Sequence, residues 1–155
     1  MKTLLLIMSH AAVLAVGVAV GIYALPILVA PPGPTQAEVS AQTALASFKG
    51  EFRRTLKDSD PLHWGEGQVS VSARSIGLVG KLAPGPDYKL YLSPAFVETE
   101  AEFNRLKPSM VRVADIKTFE NFLVTVPESV DPARFNTVVI WCESFGQFIT
   151  AAQYR

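Results

Sequence analysis

The sequence predicts an all-β fold, an antiparallel β-sandwich with one short helical insertion, preceded by an N-terminal transmembrane helix. Three observations carry that prediction. From Thr3 to Ala37 no side chain is charged, and Leu4 to Leu25 is almost continuously apolar. Beyond it, Gln68 to Ala73 alternates Val69, Val71 and Ala73 with Gln68, Ser70 and Ser72, the period-2 pattern of a half-buried strand. Several further short apolar runs are separated by Gly, Pro and Asp clusters that only turns accommodate.

The 22 residues from Leu4 to Leu25 reach roughly 33 Å as a helix, about the thickness of a bilayer core. A cleaved secretory signal has an apolar region of only ~7–15 residues. Pro31 directly after Ala30 is a poor arrangement for cleavage, and Thr35-Gln36-Ala37 offers a weaker site. The run therefore reads as an uncleaved signal-anchor, residues 1–30, embedded in a lipid bilayer. Lys2 is the one positive charge before Lys49, so the positive-inside tendency places the N-terminus in the cytoplasm. The body then lies outside the membrane, which in a bacterium is the periplasm. A single cysteine in the chain suits such an oxidising compartment, which favours paired cysteines or almost none. Within the span, Gly17 and Gly21 stand four apart, the small-residue spacing that lets two helices approach as a homodimer. His10, near its start, reads as an interfacial residue.

Pro31-Pro32-Gly33-Pro34 stops the helix. Residues 31–47 read as a Pro/Ala-rich linker or short helix, and the folded domain as 48–155. Strands are expected over Phe48 to Thr55, Gln68 to Ala73, Ile76 to Leu82, Tyr88 to Leu92, Phe119 to Val126 and Thr137 to Trp141. Ala83-Pro84-Gly85-Pro86-Asp87 forms a turn. Phe145 to Tyr154 reads as the last strand, although apolar residues at 145, 148, 149 and 151 mix the two periods. Thr99-Glu100-Ala101-Glu102 has capping-box spacing and opens a helix that ends at Lys107-Pro108. Glu98, Glu100 and Glu102 then form its wet face.

Fourteen basic residues balance fourteen acidic ones, which leaves no electrostatic footprint for nucleic acid. One cysteine cannot attach a c-type haem. Outside the span only His63 and Cys142 remain as Cys or His ligands, too few for structural zinc or a blue-copper centre. There is no glycine-rich phosphate loop and no Gly-x-Ser-x-Gly elbow, hence no complete catalytic set. What remains is Cys142, His63, Met110 and the aromatics Trp64, Trp141, Tyr88 and Tyr91. Cys142 is either a reactive thiol or a small buried hydrophobe at a strand end. Glu143 beside it raises a thiol pKa rather than lowering it. His63 is a ligand, a proton carrier or a plain turn histidine; Met110 is most simply a gap filler.

Four separated motifs add a further reading. They are Phe48 to Phe52 with Leu62-His63-Trp64-Gly65-Glu66-Gly67-Gln68-Val69; Gly85-Pro86-Asp87-Tyr88-Lys89-Leu90-Tyr91-Leu92-Ser93; Val126-Pro127 with Asp131; and Val138-Val139-Ile140-Trp141-Cys142. In this order they resemble the DM-thirteen domain family, an extracytoplasmic module also found in Skeletor-type animal proteins. The resemblance implies a β-sandwich and an electron-transfer role centred on the cysteine of the Trp-Cys motif. Cys142 would act as a free thiol or as the ligand of a prosthetic group such as haem, with His63 beside it and a protein redox partner. The helical stretch 98–106 departs from the shorter forms of the family. The alternative from another class is a non-catalytic binding or adaptor module in which Cys142 only packs.

Overall fold

A computed structural model describes residues 1–44 and 46–155. Eight strands form two four-stranded antiparallel sheets. They are β1 (Phe48–Phe52), β2 (Gly65–Val71), β3 (Ser75–Leu82), β4 (Tyr88–Ser93), β5 (Val111–Ile116), β6 (Phe122–Thr125), β7 (Thr137–Cys142) and β8 (Gln147–Gln153). One sheet runs β1-β2-β3-β6 and the other β5-β4-β7-β8. The helices are α1 (Lys2–Val29), α2 (Gln36–Gln42) and α3 (Glu100–Leu106). The sandwich and its single helical insertion are thus as the sequence predicts, and α1 is long and apolar enough to cross a membrane.

The inter-sheet core is built by the inward rows of both sheets, among them Val69, Val71, Ile76 and Leu78 against Leu90, Leu92, Val138, Ile140 and Ile149. A second apolar cluster lies on the outer face of the β5-β4-β7-β8 sheet. There α3 lays Phe103 over Tyr91, Val139, Trp141, Phe148 and Ala151. The strand between these layers, β7, is buried at all six positions, which is why it reads as a continuous apolar run.

Two bulges account for the two places where periodicity misleads. On β8, Ile140 faces Thr150 but Trp141 faces Phe148, so Ile149 is inserted. Alternation breaks there, with Phe148 and Ala151 in the outer cluster and Ile149 and Ala152 in the core. Strand β5, which the sequence reading leaves out, carries the second bulge. Leu90 faces Ala114 and Tyr91 faces Arg112, which leaves Val113 unpaired. Val111 and Val113 pack on the core, but the next core residue, Ile116, follows three positions later, so the alternation changes phase.

The Gly-x-Gly opening of β2 has a steric cause, and it starts the strand three residues before the expected Gln68. A Cβ on Gly65 would lie 2.5 Å from Cγ2 of Thr150. Gly67, at φ 122°, faces Gly80 so closely that a Cβ would meet the Val79 carbonyl oxygen at 2.3 Å.

Of the stretch expected as a linker or short helix, residues 36–42 form the short helix α2, and residues at 33, 34 and 39 touch the sandwich. Thr35 caps α2 with a full capping box to Glu38. Val39 is buried against Gly77 of β3, where a Cβ would come within 2.8 Å of its Cγ1. Asn121 stitches this strap to the sheet. Its Oδ1 accepts from the Gly80 N–H at 3.0 Å and its Nδ2 donates to the Pro34 carbonyl at 3.3 Å. Asn121→Ala leaves the Gly80 N–H without that acceptor, so urea unfolding in detergent should show a loss of about 1–2 kcal/mol, with faster amide exchange over α2.

Candidate functional site

Cys142 ends β7 at one end of the sandwich, directly across from Tyr88 at the start of β4. Strict alternation sends Trp141 and Cys142 to opposite faces. Trp141 stacks on Phe103 with ring centroids 3.9 Å apart and planes 10° apart, under α3. Cys142 points into the inter-sheet core and is only 2% exposed.

Above the thiol is a mostly apolar cleft of about 450 Å3. Tyr88, Phe145, Ile149 and His63 line it, together with Ile22 and Tyr23 of α1. The structure therefore brings His63 and Cys142 to one cleft, although the two are 79 positions apart (142 − 63) in the chain. Met110 does not join them: it packs in the outer cluster with Leu56 and Leu106. Gly17 and Gly21 lie open on the surface of α1.

The local chemistry follows from the loops. Burial pushes the Cys142 thiol up, and the charge of Asp87 adds to this. Backbone N–H groups of Phe145, Asp87 and Ser144 pull the other way without overcoming burial. The thiol is accordingly held protonated at neutral pH. The carboxylate acting on it is Asp87, not the adjacent Glu143 that the sequence singles out. Asp87 is itself held below the ordinary carboxylate range, first by Lys89 at 2.6 Å and then by the Ser144 hydroxyl, which donates at 2.9 Å.

His63 is set by Asp60. Oδ1 of Asp60 accepts from the backbone N–H groups of Leu62 at 2.6 Å and His63 at 2.8 Å, an Asx turn. Its Oδ2 lies 2.8 Å from His63 Nδ1. With Nδ1–H donated to this carboxylate, Nε2 is left as the basic nitrogen. Burial opposes the charged form of Asp60, but the His63 ring and the two amides outweigh it and keep the carboxyl low. Trp64 lies under Arg54, whose guanidinium is 3.2 Å from the ring centroid and also binds Glu66 through two bonds of 2.7 and 3.0 Å. The His63 loop is thereby pinned to β2.

On the far side of β7, Glu143 accepts from the Tyr91 hydroxyl and from Lys107 Nζ at 3.0 and 2.9 Å. The ammonium also sits 5.7 Å from the Tyr91 ring centroid and 5.8 Å from that of Trp141. Sequence reading misses this group, because Lys107 and Glu143 are joined only by the fold. The acidic residues around the start of α3 are bound too: Glu98 pairs with Lys57 at 2.5 Å, and the carboxylate of Glu102, in the first turn of α3, accepts from the Glu98 N–H at 3.0 Å.

A family model described as electron transfer DM13 matches residues 52–154. The chain belongs to this family. Comparisons with curated proteins and with solved structures give no match. The DM13 match begins at Phe52, the last residue of β1, and takes in β2 through β8 and α3, so the helical stretch that departs from the expected shorter form lies inside the domain. Within this DM13 domain, the Trp-Cys motif couples the two clusters: its tryptophan anchors α3 and its cysteine floors the cleft.

Burial works against ionised Glu143, yet Tyr91 and Lys107 hold its carboxyl below the ordinary 4.5. A depressed folded pKa means its contribution is present above the unfolded value and lost as pH falls through the folded one. Glu143→Gln should therefore lower the urea midpoint at pH 7. The gap to wild type should narrow steadily below about pH 4.5 as the native carboxylate takes up its proton.

Proposed function

We propose that the protein is a membrane-anchored electron-transfer module, with the DM13 domain on the extracytoplasmic side and Cys142 as its redox centre. In a bacterial cell α1 would lie in the inner membrane and the domain in the periplasm. The observation that carries the reading is the cleft: within a family described as electron transfer, the one thiol and His63 share a single apolar cavity.

The donor set fits a thiol better than a ligand shell. Burial raises the Cys142 thiol, so in the protein alone it is a protonated thiol that would have to release its proton before it could ligate. Among the described residues no group of three His, Cys, Asp or Glu gathers to hold a metal ion. Removing an electron from a protonated thiol also releases its proton, and Nε2 of His63 is the base in the same cleft. The electron passes from the thiol to a one-electron acceptor on a protein partner, leaving a thiyl radical. A one-electron donor and the proton on His63 return that radical to the thiol, and Gly17 and Gly21 offer a surface on which two anchors pair.

One observation favours a second reading, an adaptor module: Cys142 is nearly shut off from solvent. Stopped-flow oxidation of the detergent-solubilised full chain by a one-electron mediator separates the two. Electron transfer at Cys142 predicts that Cys142→Ser slows the reaction by roughly tenfold or more and His63→Gln by a smaller factor. Unchanged rates, with a membrane partner that co-purifies equally with wild type and Cys142→Ser, support the adaptor.

A further inference from the structure

The same end of the sandwich carries Cys142, the β3–β4 turn and the β7–β8 turn, and two large apolar side chains stand out there. Leu62 is 56% exposed and Phe145 53%, and both line the cleft over Cys142. The path of the chain fixes where this end lies. Helix α1 ends at Val29, and Gly33 already abuts Asn121 and Thr118, so close that a Cβ would stand 2.8 Å from the Asn121 carbonyl oxygen. Four residue steps span at most about 14 Å, and three of the residues from Pro31 to Pro34 are prolines, which stiffen the path.

Helix α1 has 28 residues, about 42 Å, some 12 Å more than a bilayer core needs. With Leu4 to Leu25 in the core, the last turn, Pro26 to Val29, reaches the headgroup zone, and Tyr23 lies within one turn of that boundary. The domain contacts those turns: Ile22 and Tyr23 line the Cys142 cleft, and Pro26 and Val29 line the neighbouring hollow with Pro86 and Lys117. A tether so short keeps the Leu62 and Phe145 end beside the last turns of α1.

We propose that this end of the domain seats on the outer surface of the phospholipid bilayer. Leu62 and Phe145 enter the headgroup boundary, and the cleft over Cys142 opens onto lipid. The occupant is the bilayer because the anchor delivers this face to it and the two exposed side chains are apolar. The inference rests on α1 remaining attached as an anchor.

The test uses the wild-type full chain in phosphatidylcholine vesicles that contain a photoactivatable phosphatidylcholine with its reactive group near the glycerol. After an alkaline carbonate wash and illumination, peptides are mapped by mass spectrometry. Seating predicts lipid adducts at residues 60–64 and 143–146 several-fold above those at the far end, where Arg74 pairs with Glu128 at 2.8 Å. Adducts confined to α1 in a chain that stays with the vesicles overturn the seating and leave the anchor intact. A chain released by the wash overturns both. Cross-links from 62 or 145 to protein in place of lipid also overturn the seating.

Discussion

Everything in this domain depends on β7 being buried on both faces. A central strand covered on one side only would alternate apolar and polar residues; β7 has none of its six positions exposed. The second cover is supplied by α3, held by the Phe103–Trp141 stack and by the Lys107–Glu143–Tyr91 group at the strand's end. With the outer face closed in this way, Trp141 is fixed outward and Cys142 inward. The position of the thiol is thus a consequence of packing on the opposite side of the sheet, and the Trp-Cys dipeptide is one structural unit with two addresses.

The elements legible in the sequence are those whose signal is local. The apolar span, the alternation around Val69, the proline turn at 83–87 and the capping residues of α3 all show in a few neighbouring letters. What escapes is set by distant partners. Strand β5 is hidden because its alternation changes phase past the bulge at Val113, and the extra residue on β8 produces its mixed period. The strap from Pro31 to Gln42 looks like a linker or short helix because only Val39 is buried there, and its seat depends on Gly77 and Asn121. The same division holds at the site. Cys142 and His63 stand out by residue type and motif, whereas Asp87 and Asp60 become visible only when the loops are folded around them.

The chemistry at Cys142 is constrained in two ways. Burial keeps the thiol protonated, so in the proposed electron-transfer role its electron and proton would leave together rather than through a resting thiolate. The cleft is largely apolar, and Ile22 and Tyr23 of α1 line it together with Phe145, Leu62 and Tyr88. Access, the proposed redox role and the proposed membrane position all bear on this one cavity.

The most direct measurement compares two maleimides of equal intrinsic reactivity, one neutral and lipid-soluble and one sulfonated, on the full chain in vesicles. Rates at Cys142 are normalised to those of the urea-unfolded chain. An apolar, lipid-side cleft predicts that the neutral reagent modifies native Cys142 faster by roughly tenfold or more. Equal normalised rates for the two reagents would mean that the thiol is reached from water, and would contradict the account.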